Sequence, residues 1–136
     1  MNLDMRSPLF YQKIEPLTEE GRVFRPDGET LLCYELNRAQ SRSIEPQKDR
    51  LLERLVFAGQ KTEEGGREEF VALPSGLYLF AQCRKEAVLN REEWLDMAIE
   101  QQKDGLWERN KLGDTLYVRF LYEDGAFVTQ VFRTLA

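Results

Sequence analysis

Polar and apolar positions alternate most regularly in the last third of the chain. Thr115–Tyr122 (TLYVRFLY) and Ala126–Leu135 (AFVTQVFRTL) are β-rich runs flanking Glu123-Asp124-Gly125. Asp-Gly tolerates positive φ at both central positions of a tight turn, so the pair predicts a hairpin. Alternation places Tyr117 and Arg119 on one face of its first strand and Val118 and Phe120 on the other. Leu77–Cys83 (LYLFAQC) is nearly continuous in apolar residues and predicts a strand buried on both faces. Glu69–Leu73 (EFVAL) predicts a further strand, with Pro74-Ser75-Gly76 as a turn or bulge between the two. Glu29–Arg38 (ETLLCYELNR) predicts a strand with Leu32, Tyr34 and Leu36 on one face and Leu31, Cys33 and Glu35 on the other. Arg25-Pro26-Asp27-Gly28 before it is a turn signal. Phe10–Glu20 (FYQKIEPLTEE) has no clean period and suits a short leading strand or a packed arm.

Helical spacing appears twice. Asn90 followed by Glu93 is a capping-box pattern, and Trp94, Leu95, Ala98 and Ile99 form the apolar stripe behind it. Lys103-Asp104-Gly105 marks its end, with Leu106 and Trp107 packing after it. Ser43 to Pro46 opens an earlier helix, with Leu51, Leu52, Leu55 and Val56 at helical spacing and Gly59 as its stop. Leu55-Val56-Phe57 equally suits the start of a short strand. Lys61–Arg67 reads as a polar loop. The order strand, helix, strands, then strand, helix, strand, strand predicts one α+β domain over residues 1–136. Its antiparallel sheet would come from two strand-helix-strand-strand repeats, residues 22–73 and 74–136, with helices on one face.

The 136 residues carry a formal charge of -5, are 42% hydrophobic and contain no histidine. The last point removes Ser-His-Asp and Cys-His mechanisms and every histidine-containing metal site. The acidic balance argues against direct nucleic-acid binding. No apolar run is long enough to span a membrane, and MNLDMRSPLF lacks a signal-peptide layout, so a cytoplasmic protein is expected. Cys33 and Cys83 are far apart and read as two reduced thiols in strands, with a disulfide or reactive thiol as the alternative. Gly65-Gly66 lacks the Lys-Ser/Thr of a phosphate loop, and Glu63-Glu64 and Glu92-Glu93 read as solvated charge, not metal ligands. No cofactor is implied. These features favour binding over catalysis and leave the ligand open.

From Val71 onward the chain resembles the GyrI-like effector-binding domain, the ligand-sensing half of MerR-family multidrug-responsive transcription regulators. The resemblance is carried by Pro74-Ser75-Gly76-Leu77-Tyr78, matching the family's P-x-G-x-Y pattern, by Trp94-Leu95 on the following helix, and by the closing hairpin. Gly21-Arg22-Val23-Phe24 and Thr30–Asn37 resemble the first repeat of that family more weakly. The resemblance implies a duplicated sheet with a groove between the repeats. There aromatic side chains stack on flat, apolar, often cationic compounds, and a buried carboxylate offsets the charge. The family commonly carries this glutamate in the first strand of the closing hairpin. Leu116–Phe120 holds no acid and has Arg119 there, which points to an anionic or neutral ligand if Arg119 faces the groove. The winged helix-turn-helix and coiled coil of a full regulator are not in this sequence. It is therefore expected to be a stand-alone sensor or a piece of a longer regulator.

The expected ligand-binding residues are Tyr34, Glu35, Tyr78, Trp94, Tyr117 and Arg119. Each also has an ordinary structural role open to it: strand aromatics for Tyr34 and Tyr78, core packing for Trp94, a solvated outer face for Tyr117 and Arg119, and a strand-edge carboxylate for Glu35. Three functions compete. One is a domain binding a small amphipathic or aromatic ligand in transcription control. A second is a protein-interaction module of the gyrase-inhibitor type, using an exposed patch or the edge of the Thr115–Leu135 hairpin. A third is a small hydrolase with Glu35 or another carboxylate as base and tyrosines as acids.

Overall fold

The computed structural model describes residues 2–13, 29–43, 45–62, 70–104 and 111–135. Strands β1 (Asn2–Met5), β2 (Leu9–Lys13) and β3 (Glu29–Leu36) come first. The one-turn helices α1 (Arg38–Ser41) and α2 (Lys48–Leu51) follow, then β4 (Leu52–Thr62), β5 (Phe70–Leu73) and β6 (Gly76–Lys85). Helix α3 (Arg91–Asp104) and the hairpin β7 (Thr115–Glu123) and β8 (Ala126–Thr134) complete the fold. The architecture is α+β. The eight strands form one antiparallel sheet in the order β1-β6-β8-β7-β3-β4-β2-β5.

Chain connectivity forces this sheet to curl. Six strand spacings of about 4.8 Å separate β1 from β2 in a flat sheet, roughly 29 Å. The four residue steps from Met5 to Leu9 reach at most about 14 Å. The short link between β5 and β6 imposes the same closure. The two ends meet at a paired corner: Asn2–Met5 runs against Leu79–Gly76, and beyond the bend Leu9–Gln12 runs against Leu73–Phe70. Pro8 and Pro74 lie at the bend, where neither is asked to donate to a ladder. Gly76, with φ 139°, supplies the conformation an L side chain resists.

The curl gives the sheet two faces, and β3 shows both. Leu32, Tyr34 and Leu36 pack with Leu51 of α2 and with Leu89, Trp94, Leu95 and Ala98 at α3, so the helices cover one face. Leu31 and Cys33 face inward with Tyr11, Phe57, Leu73, Tyr78, Phe80 and Phe132. The alternation expected for this strand is the one observed.

Helix α3 starts as the sequence implies. Asn90 Oδ1 accepts from Glu93 N at 2.9 Å, and Glu93 Oε1 accepts from Asn90 N at 3.2 Å. Trp94, Leu95 and Ala98 are buried, and Ile99 packs partly against them. The hairpin turns at Asp124 (φ 52°) and Gly125 (φ 79°), a tight two-residue loop. Both cysteines are free thiols in strands.

Other expectations need correction. The helix from Ser43 to Gly59 is absent: α2 is a single turn, and the chain becomes strand at Leu52. Pairing along β3 from Thr30 to Leu36 overrides the local Leu spacing, and the register shifts at two places absorb the mismatch. Gly59 is therefore not a helix stop. It lies inside β4, where a Cβ would come within 2.5 Å of the Gln12 carbonyl oxygen. Lys61 and Thr62 end that strand instead of opening a loop. In Leu77–Cys83 only Tyr78, Leu79 and Phe80 are buried; Leu77 and Gln82 are exposed. Strand β1 carried no sequence signal, because its partner β6 is distant in the chain. The pairings of the two halves differ: β3 pairs directly with β4, whereas β6 pairs with β8 and not with β7. Both hairpin strands are paired on two sides, so β7–β8 offers no free ladder to a partner protein. The turn at Arg25–Gly28, Gly21–Phe24, the loop at Glu63–Arg67, and Gly105, Leu106 and Trp107 lie outside the described residues.

Candidate functional site

Strand register builds the inner face as rows. Phe57, Cys33, Tyr117, Phe132 and Phe80 are consecutive cross-strand partners and make an apolar row. Two residues along each strand, Gly59, Leu31, Arg119, Gln130 and Gln82 make the next row, which is polar from Arg119 onward. Side chains separated by two on a strand point the same way, so the rows adjoin on one surface.

The apolar row is a ring cluster. Tyr117 stacks on Phe132 with centroids 5.5 Å apart and planes 20° apart, and Tyr78 meets Phe132 edge-on at 5.5 Å. Tyr78 also approaches Tyr117 edge-on at 6.4 Å. Tyr78 donates its hydroxyl hydrogen to the Pro74 carbonyl at the sheet corner. Burial lifts the Tyr78 phenol from its ordinary 10.0 to about 12, and the neighbouring Tyr117 adds to this. Burial likewise raises Tyr117, with Cys33 adding to it. Burial alone pushes the Cys33 thiol up to about 12, which leaves it a protonated, unreactive small hydrophobe at neutral pH.

Arg119 holds the polar row together. Its Nη2 and Nε donate to Glu29 Oε2 at 2.6 and 3.1 Å, and its Nη1 donates to Gln130 Oε1 at 3.1 Å. Gln130 Nε2 in turn donates to Gln82 Oε1 at 3.2 Å. The Tyr11 hydroxyl donates to the same Glu29 oxygen at 3.4 Å, and Lys61 Nζ lies 3.7 Å from Glu29 Oε1. Burial disfavours the Arg119 cation, but the charges and hydrogen bonds of Tyr11 and Glu29 outweigh it and hold the guanidinium above its ordinary value. Burial dominates at Tyr11 and raises its phenol, with Glu29 adding to the rise and Arg119 opposing it.

Exposure runs along this face. Tyr78 and Phe132 are 1% and 0% exposed, while the side chains of Arg119, Glu29 and Lys61 are 15%, 20% and 42% exposed. The inner face is filled by its own rings at one end and meets solvent at its charged end. It presents no activated nucleophile, and among the described residues no group of three Cys, Asp or Glu could hold a metal ion.

The six sequence-derived residues divide. Tyr78, Tyr117 and Arg119 meet on the inner face; for Tyr117 and Arg119 the solvated outer face does not apply. Tyr34 and Trp94 are on the opposite face, buried against each other under α3 with centroids 5.3 Å apart. Glu35 is half exposed near the far end of β3 and accepts from Arg54 Nε. It borders a separate cavity of about 300 Å³ with Leu36, Arg38, Glu53 and Asp114. A cavity of about 330 Å³ on the helix side is lined by Lys48, Asp49, Arg91, Glu92 and Leu95, and its Lys48 is already paired with Asp96 at 2.9 Å.

Sequence reasoning missed Tyr11, Glu29, Lys61, Gln130 and Phe132. Period-two counting from Leu31 and Cys33 reaches Glu29, and counting from Phe132 reaches Gln130. Those signals were present, but the partners that give them meaning are on other strands. No protein-family model and no curated protein matches the chain.

Proposed function

We propose that this chain is a small-molecule-binding domain that holds an apolar or aromatic compound on the inner face of its curled sheet. The carrying observation is the convergence of Tyr78, Tyr117 and Phe132 into one ring cluster directly beside the Arg119–Glu29 pair. Aromatic faces supply area and stacking at low entropic cost, and the neighbouring charges orient a polar group. The resemblance to effector-binding domains of transcription regulators extends this reading to a sensing role in transcription control, in the cytoplasm and without chemistry on the ligand. The inner face is built from β6, β8 and β7 of the second half and β3 and β4 of the first. A site shared by strands of both halves supports this reading, and a duplicated origin of the two halves would belong to it.

The test is thermal unfolding with a panel of flat, amphipathic aromatic compounds. Binding to the folded state alone raises the midpoint with concentration, by about 2.7 kcal/mol of stability at a hundred times Kd. The shift is expected to shrink in Tyr117→Ala, whose half-buried ring is the part of the cluster nearest the charged end. A panel without any shift, or shifts that survive Tyr117→Ala unchanged, would remove the reading.

A further inference from the structure

Local sequence and sheet pairing oppose each other where α2 runs into β4. Leu52, Glu53, Arg54 and Leu55 are all strong helix formers, and glutamate is disfavoured in strands. Leu51, Leu52, Leu55 and Val56 fall on one face of a helix. The chain already turns as α2 over Lys48–Leu51, then Leu52 follows in extended conformation (φ -89°, ψ 129°), with no glycine, asparagine or proline before Gly59 to stop the helix. The strand that follows is poorly held at its start. Tyr34 pairs with Leu55, Glu35 with Arg54 and Leu36 with Leu52, so Val56 and Glu53 are left out of the register as bulged residues. Val56 is 40% exposed, and Leu52 and Leu55 are only partly buried. Among the described residues β2 pairs with residues 59–62 and not with residues 52–56, which are therefore held by β3 alone. On its other side β3 keeps β7, with Tyr34 against Leu116 and Glu35 against Thr115, so it stays in place when residues 52–56 leave.

We propose that residues 52–56 are a two-state element: their pairing with residues 34–36 opens as a unit, and α2 lengthens through Val56. The shift gives up three paired residues and the Glu35–Arg54 ion pair, whose side chains are 41% and 71% exposed and contribute little. It gains rather more than one further turn of helix. The Leu51 carbonyl, which accepts from Asn37 N at 2.7 Å, is the acceptor that Leu55 N takes in the longer helix. Two cavities border the element, one lined by Lys48 and Asp49 of α2 and the other by Glu35 and Glu53, so the shift reshapes both. A compound that fits one of them in only one of the two states thereby moves the equilibrium. None of residues 52–56 belongs to the ring cluster or to the polar row, so the switch stands apart from binding on the inner face.

The experiment is amide hydrogen exchange and carbon-13 relaxation dispersion by NMR on the whole chain at neutral pH. In the wild type the amides of residues 52–56 are expected to exchange together, at least about tenfold faster than those of residues 57–62 of the same strand. The minor state is expected to have Cα shifts displaced in the helical direction. Val56→Ala and Glu53→Thr alter exposed positions and push the balance in opposite senses. Val56→Ala is expected to raise the minor population about threefold and Glu53→Thr to lower it by a similar factor. Equal protection across residues 52–62 overturns the switch, as does a minor state that is absent or has coil shifts, which marks simple fraying of the strand. A helical minor state that neither substitution moves overturns it too. Where a variant fails to fold, the direction of the wild-type Cα displacement decides.

Discussion

Arg119 Nη2 and Glu29 Oε2 lie 2.6 Å apart on adjacent strands, as diagonal neighbours: Leu31 is the register partner of Arg119, and Leu121 that of Glu29. The pair joins residues ninety positions apart in the chain. Both side chains are largely withdrawn from water, so removing Glu29 strands the Arg119 charge, while removing Arg119 leaves Glu29, among the described residues, with only the longer contact to Lys61 and the Tyr11 hydroxyl. Glu29→Leu or Arg119→Met alone is expected to destabilise the fold by about 2–3 kcal/mol, the lower end for a buried pair because both ends keep some solvent. The double variant is expected to lose clearly less than the sum of the two single losses, since neither member of this pair is then stranded, although Lys61 and the Tyr11 hydroxyl lose Glu29. Urea unfolding at neutral pH measures all three, and a double loss equal to the sum of the singles shows that the two do not depend on each other.

The two faces of β3 were legible because each alternates cleanly, and Asn90 with Glu93 and Asp124 with Gly125 were legible because their chemistry is local. Glu29 opens β3 and carries no local signal of its own. Its role comes from Arg119, Tyr11 and Lys61, which only the sheet order β7-β3-β4-β2 brings to it. The same limit explains β4 and β1. Leu51, Leu52, Leu55 and Val56 fit a helical stripe, and only pairing with β3 decides for a strand. Asn2–Met5 becomes a strand through β6 alone. Tyr34 and Tyr78 are alike in local sequence, yet they line opposite faces of one sheet.

Trp94 is fully buried with its ring tilted 42° against Tyr34, and its indole Nε1 has no hydrogen-bond partner among the described residues. A buried donor without a partner opposes folding by about 1–3 kcal/mol. Trp94→Phe removes that donor as well as some apolar area, so the two effects offset and a loss below about 1.5 kcal/mol is expected. Trp94→Ala removes the ring entirely and is expected to cost about 3–5 kcal/mol. Denaturant melts of both variants give the comparison. Equal losses would mean that the indole N–H makes a bond in solution that stabilises the fold.

Two glycines separate close approach from backbone conformation. At Gly59 a Cβ would be 2.5 Å from the Gln12 carbonyl oxygen and 2.6 Å from the Phe57 ring. The ring can turn, but the carbonyl is fixed by the β2–β4 ladder. Gly59→Ala is therefore expected to cost about 3 kcal/mol or more, the upper range for overpacking. At Gly125 nothing is within 4 Å of a Cβ, and only φ 79° opposes a side chain. Gly125→Ala is expected to cost about 1–2 kcal/mol, and Gly125→Asn less, because Asn tolerates that region. Thermal melts rank the three; parity of Gly59→Ala with Gly125→Ala would mean that β2 yields at the contact.

Alkaline pH tests the burial of the inner face directly. The Cys33 thiol rises from 9.0 to about 12 and the Tyr78 phenol from 10.0 to about 12, with Tyr11 and Tyr117 raised as well. The folded chain keeps these protons where the unfolded chain has released them. Their contribution to stability is thus complete below about pH 9 and falls as pH rises from there through about 12, by about 1.4 kcal/mol per pH unit for each group ionised only in the unfolded chain. Urea midpoints at a series of pH values across that window should decline steadily, while tyrosinate absorbance of the folded protein lags behind that of the unfolded one. Tyr78→Phe removes one ionising group and should flatten the decline between about pH 10 and 12. A midpoint that holds constant through that window, or a decline that Tyr78→Phe leaves unaltered, would place these side chains in water and open the ring cluster.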